Sequence, residues 1–218
     1  MHRYLSHMMA SEKKEPEARG EAFSFVHSDQ LYVCQYTRPS NTRHPVRVNR
    51  RQRRAGQRDS GRDSSRVEHP LQRYDFSSAQ WSGVLPVSVD REPEERLYWT
   101  GRAKHHVGVC CAVVGDCAYT FGGLWKYGHA VHELNLETMV WRRVEANNVE
   151  DGPMDKENAG MVESGDGTLC LFGGHGPDTG RHQSGATYQR DDSHPGHCLT
   201  NELHLFCVST GKSLSCNI

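Results

Sequence analysis

No stretch of this chain is long and apolar enough to cross a membrane as a helix. The longest apolar run, Val107 to Val114, has eight residues, well short of the roughly 20 a bilayer core requires. The first residues, Met1-His2-Arg3-Tyr4-Leu5-Ser6-His7-Met8-Met9-Ala10, have no sustained apolar segment of the kind a secretory signal needs. The common catalytic signatures are missing as well. There is no Gly-x-Ser-x-Gly elbow, no phosphate-cradling loop ending in Lys-Ser/Thr and no His-Glu-x-x-His pair, so the expectation is a protein without enzymatic activity and without a cofactor. The eight cysteines, Cys34, Cys110, Cys111, Cys117, Cys170, Cys198, Cys207 and Cys216, lack bridge-like spacing and fall at strand-like positions. They read as packed thiols of a reduced, cytoplasmic protein.

Apolar residues are scarce, at 35%, and mean hydropathy is −0.75, both low for a compact domain. The deficit is local. Residues 38–73 hold 11 arginines against three acids, a charge of +8, which leaves −9 on the remainder of a chain whose net charge is −1. This split predicts a disordered basic insertion, residues 37–67, in a mildly acidic folded body. Clustered arginine, as in Arg50-Arg51-Gln52-Arg53-Arg54, suits phosphate contact or nuclear import. No aromatic residue stands between Asn41 and Leu71, however, so base stacking has nothing to use. A solvated loop is the preferred reading, with nucleic-acid contact the alternative.

What the chain does have is self-similarity. Two apolar runs, Ala118-Tyr119-Thr120-Phe121 and Leu169-Cys170-Leu171-Phe172, each end in a double glycine, Gly122-Gly123 and Gly173-Gly174. Further on, a large apolar residue precedes a landing position by seven: Tyr74 before Trp81, Leu134 before Trp141, Phe206 before Ser213. Upstream, Asp29-Gln30-Leu31-Tyr32-Val33-Cys34 aligns with Asp116-Cys117-Ala118-Tyr119-Thr120-Phe121, and Asp166 opens a third copy with one extra residue. Apolar segments before each Asp (Ala22 to Val26, Val107 to Val114, Gly160 to Val162) complete β-hairpins, because Ser-Asp and Gly-Asp tolerate the positive φ of tight turns. The diglycines predict strand ends where neighbouring backbone comes too close for a side chain. A third strand near Tyr74, Leu134 or Phe206 and a fourth from the landing position give four short strands per unit.

An apolar run into a double glycine, then an aromatic or large apolar residue and a tryptophan about seven later, resembles the kelch-repeat family. Residues 105–141 match best; 15–35 with 69–81, and 154–214, match less well. The copies depart from the pattern at Gln35-Tyr36, which replaces the first diglycine, and at Ser213, which replaces the third Trp. The resemblance implies an all-β fold, a partial β-propeller of about three four-stranded antiparallel blades, with binding of other proteins as its usual work. The expected layout is a disordered tail at 1–14, a first blade at 15–81, a second at 82–141 and a third at 142–218. Three blades fall short of the family's closed ring, which suggests a piece of a longer product or an arc that meets another chain.

The third unit carries an insertion, His175 to Cys198, read as a long loop. His194-Pro195-Gly196-His197-Cys198 offers imidazole and thiolate together, but structural zinc wants a second pair at comparable short spacing, so no metal is expected. By loop position and residue type, Trp125, Tyr127, Arg181, Tyr188 and Arg190 are the candidate partner-binding residues. Binding through loops is the leading expectation. A substrate-recognition piece of a cullin-type ubiquitin ligase receptor is a narrower version that the resemblance implies, although no adaptor-binding element is recognisable in the sequence. Copper-radical chemistry, known in distant relatives of the fold, would need a closed axis with paired His and Tyr. No membrane partner is expected.

Overall fold

The structure is a computed structural model, and it describes residues 22–35, 71–84, 86–88, 108–122, 130–144 and 152–216. The Arg-rich insertion, the N-terminal segment, Gly123, Trp125 and Tyr127 lie outside these residues. Every element among the described residues is a β-strand, and no helix is long and apolar enough to cross a membrane.

Alternating burial builds the first sheet. In β1 (Ala22–His27) Phe23 and Phe25 are buried and their neighbours exposed, the period of two that puts successive side chains on opposite faces. A two-residue turn, Ser28 at φ 46° and Asp29 at φ 57°, returns the chain into β2 (Gln30–Gln35) with Phe25 opposite Tyr32. The antiparallel order continues through β3 (Leu71–Asp75) and β4 (Gln80–Val84), where Tyr74 faces Trp81. The short β5 (Val87–Ser88) then pairs parallel with the last strand of the next sheet, Val87 opposite Val140, and its amide donates to Met139 O at 2.9 Å. The second sheet continues with β6 (Cys110–Val114), β7 (Cys117–Phe121), β8 (Val131–Asn135) and β9 (Val140–Val144), Leu134 facing Trp141. The third comprises β10 (Gly160–Glu163) and β11 (Thr168–Phe172), then, after the insertion, β15 (Leu203–Cys207) and β16 (Lys212–Cys216), Phe206 facing Ser213. The insertion holds β12 (His175–Pro177), β13 (Tyr188–Arg190) and β14 (His197–Thr200).

The three large sheets repeat one another down to single hydrogen bonds. The amides of Phe76, Leu136 and Val208 each donate to the hairpin of their own sheet, at Asp29 O (3.2 Å), Asp116 O (2.9 Å) and Gly167 O (3.1 Å). In the four-residue turn that follows, Asp75 Oδ1 accepts from Ser77 Oγ and Ser78 N, and Asn135 Oδ1 from the amides of Glu137 and Thr138. Cys207 Sγ meets Ser209 Oγ in the same place. Each turn closes on a left-handed residue, Ala79, Met139 or Gly211. The repeat read from the sequence is therefore a repeat in space.

The sheets stack face to face. One buried cluster joins Phe23, Phe25, Tyr32, Cys34 and Leu71 of the first sheet to Ala118, Leu134, Leu136, Met139 and Trp141 of the second. The other joins Cys110, Ala112, Tyr119 and Phe121 to Met161, Leu169, Leu171 and Phe206 of the third. Trp141, 2% exposed, is the largest side chain in the first interface. The third sheet has Ser213 at the matching position, and there a cavity of about 70 Å³ opens, lined by Phe121, Val144, Met161, Leu171 and Phe206. Strand β6 lies beside both β1 and β10, while the later strands approach one another less closely, so the sheets fan outward from their first strands. The outer faces stay open: Val26 on one side, and Val162, Phe172 and Leu214 on the other, are all more than half exposed. No closed ring forms among the described residues.

Two glycines explain their own presence. Gly122 leaves β7 at φ +86°, and a Cβ there would stand 2.4 Å from the Lys156 carbonyl oxygen. Gly174 leaves β11 at φ +105°, with a Cβ 3.1 Å from both the Glu157 carbonyl and Ala159. The chain entering the third sheet, residues 152–159, runs against both strand ends. It is held by Asn158 N to Gly108 O at 2.8 Å and by the reciprocal Glu157–His175 backbone pair at 2.8 and 2.9 Å. At Gly122 no side chain larger than hydrogen fits, and at Gly174 the positive φ together with the tight contacts favours glycine.

Candidate interaction site in the third-sheet insertion

The long loop expected at 175–198 is a small sheet, ordered β12-β14-β13. Its central strand, β14, pairs on one side through His175 opposite Leu199 and on the other through Gln189 opposite Leu199. The segments are only three or four residues long and too polar to alternate, which hid them in the sequence. Their backbone pairing holds them instead.

A buried ion pair anchors the base. Lys156 Nζ meets Glu202 Oε2, both side chains less than 5% exposed. Glu202 Oε1 also accepts from the Tyr188 hydroxyl at 2.6 Å, and His204 Nε2 lies 3.5 Å from Oε2. Burial opposes ionisation of Glu202, but these contacts outweigh it and hold its carboxyl down at about 2. Burial also lowers Lys156, against the pull of Glu202. With three groups converging on the carboxylate, the pair stands as an ion pair at neutral pH. The sequence carries no sign of it, because Asp155-Lys156-Glu157-Asn158 looks like an ordinary solvated stretch.

Of the candidate partner-binding residues, Arg181 and Arg190 are exposed. Tyr188 is committed internally. His182 stacks on its ring at 3.9 Å and 16°, its hydroxyl accepts from Gln183 N at 2.5 Å, and burial first, then the bond to Glu202, pushes its phenol up to about 12. Asp178, kept below the usual carboxylate range by the Gly180 amide and then His182, lies within electrostatic reach of Arg190.

A second cluster occupies the turn between β13 and β14. His175 Nδ1 is 3.0 Å from Glu157 Oε1, and His175 Nε2 is 3.0 Å from Asp191 Oδ2. His194 Nδ1 lies 2.8 Å from the same Asp191 oxygen. His197 stacks on His175 at 5.3 Å. His194, His197 and Cys198 stand together in the sequence, but the fold brings His194 to Asp191 and His175, while Cys198 turns into the interior at 2% exposure. The missed member is Asp191, and its signal was the Asp191-x-x-His194 spacing of one turn.

No protein-family model matches the chain, and no curated protein matches it in sequence.

Proposed function

We propose that this chain is a non-catalytic interaction scaffold. Its stacked sheets are kelch-type blades, and the insertion between β11 and β15 is the surface that recognises another protein. The observation that carries this reading is the threefold repetition of one four-stranded unit, the third interrupted by some 30 residues that form their own sheet. A rigid frame with an elaborated connection is how recognition loops are usually presented. Arginine is enriched in binding hot spots, and Arg181 and Arg190 stand exposed on that connection. The open apolar faces of the first and third sheets fit an array continued by further blades or by another chain.

The test is affinity capture with the wild-type chain and with an Arg181→Ala/Arg190→Ala variant of equal thermal stability. The variant is expected to lose the specific partners that the wild type retains. An unchanged set of partners, or one lost only on deletion of residues 38–66, would move recognition away from the insertion.

A further inference from the structure

We infer that His175, Asp191 and His194 form a binding site for a divalent metal ion of zinc type, clipping β12 to the turn between β13 and β14. The ligand atoms of the three residues all lie within 4.8 Å of one another, a separation that small side-chain rotations close onto an ion at about 2.0–2.2 Å from each.

The hydrogen-bonding pattern favours an ion over a self-contained network. When His175 Nδ1 donates its proton to Glu157 Oε1, 3.0 Å away, Nε2 is left as a bare lone pair. Asp191 Oδ2, another acceptor, lies 3.0 Å from Nε2. Nε2 is buried and makes no hydrogen bond. Two acceptors this close repel each other unless a proton or a metal cation lies between them, and with no hydrogen bond formed at Nε2 a cation is the fitting occupant. Metal-bound imidazoles typically give their other N–H to a carboxylate, which fixes ring and tautomer, and Glu157 stands in that position. Asp191 is meanwhile held as a carboxylate by the Ser193 hydroxyl and His194.

The scaffold is assembled before any ion arrives. Asp191 N donates to His197 O at 3.0 Å, His194 N to Asp191 O at 3.2 Å, and His197 N to His194 O at 3.0 Å. His175 is anchored by β12, and the ring of His197 covers its face. Two imidazoles and one carboxylate suit zinc and its borderline neighbours, whereas calcium and magnesium prefer oxygen donors throughout. His194 is two-thirds exposed, so one coordination position faces solvent. The inference does not depend on the scaffold reading, since an ion here would order the insertion whatever it recognises.

The experiment uses the full chain, stripped with chelator and titrated with zinc chloride against a chromophoric competitor, with magnesium chloride in parallel. One equivalent of zinc is expected to bind with micromolar or tighter affinity, and magnesium is not. His175→Ala and Asp191→Asn should each weaken zinc by well over about 10-fold. Glu157→Gln, one step removed from the ion, should weaken it by about 10-fold or more. His194→Gln changes an exposed ring and serves as the variant that keeps its fold, checked by circular dichroism; it too should weaken binding by more than about 10-fold. Absence of zinc binding, or equal binding by wild type and His194→Gln, would overturn the inference and point to the other histidines of the chain.

Discussion

At the scale of single residues, the three copies provide their own controls. The left-handed position that closes the third-to-fourth strand turn holds Ala79 (φ 53°), Met139 (φ 54°) and Gly211 (φ 65°). Non-glycine residues in that region cost roughly 1–2 kcal/mol. Met139 recovers part of this by burial between sheets, whereas Ala79 is exposed and recovers nothing. Ala79→Gly should therefore stabilise the protein by about 0.5–1 kcal/mol, read as a higher urea midpoint at unchanged slope; a lower midpoint would mean the turn is not strained. Cysteine gives a second comparison. Hydrogen bonding from Ser209, then Thr210, draws the Cys207 thiol down to about 7, while burial pushes Cys34 and Cys110 up to about 12. Among the described cysteines, iodoacetamide at neutral pH should label Cys207 first, with a rate that rises as pH passes through 7. Faster labelling of Cys34 would contradict the packing described for β2.

At the scale of elements, the insertion is held to the body by the Lys156–Glu202 pair. Removing one member of a buried pair costs about 3–5 kcal/mol, because the other is left without compensation. Glu202→Gln should lose about that much at neutral pH. The pH dependence has a definite sign. The folded-state value of Glu202, about 2, lies below its ordinary 4.5, so its contribution is complete above about 4.5 and disappears as pH falls toward 2. The stability gap between wild type and Glu202→Gln should narrow over that window, and a constant gap would show that Glu202 is not held as a carboxylate.

The elements also show how far the sequence could be read. The paired strands, the strand ends at Gly122 and Gly173-Gly174, and the Tyr74–Trp81, Leu134–Trp141 and Phe206–Ser213 partners all follow from alternation and turn chemistry, which are local. Strands β12 to β14 do not, since three-residue segments such as His175-Gly176-Pro177 carry no period and exist only through their partners. The candidate site divides the same way. Arg181 and Arg190 could be chosen by type and position. The internal role of Tyr188 and the meeting of His175 with Asp191 depend on contacts between segments 14 and 16 residues apart.

At the scale of the whole molecule, three equivalent sheets stack face to face, with side chains alternating between the two interfaces of the middle one. Ser213 at the third landing position leaves the cavity of about 70 Å³. Filling it with Ala130→Val, a buried alanine on its wall, should raise stability by about 0.5–2 kcal/mol, the usual range for cavity filling, as read by thermal unfolding. A loss would mean that the interface has no slack. The most direct measurement is the urea unfolding of Trp141→Ala. If Trp141 fills the interface between the first and second sheets, the substitution costs about 3–5 kcal/mol. A cost below about 1 kcal/mol would contradict the stacking of the sheets and the scaffold reading built on it.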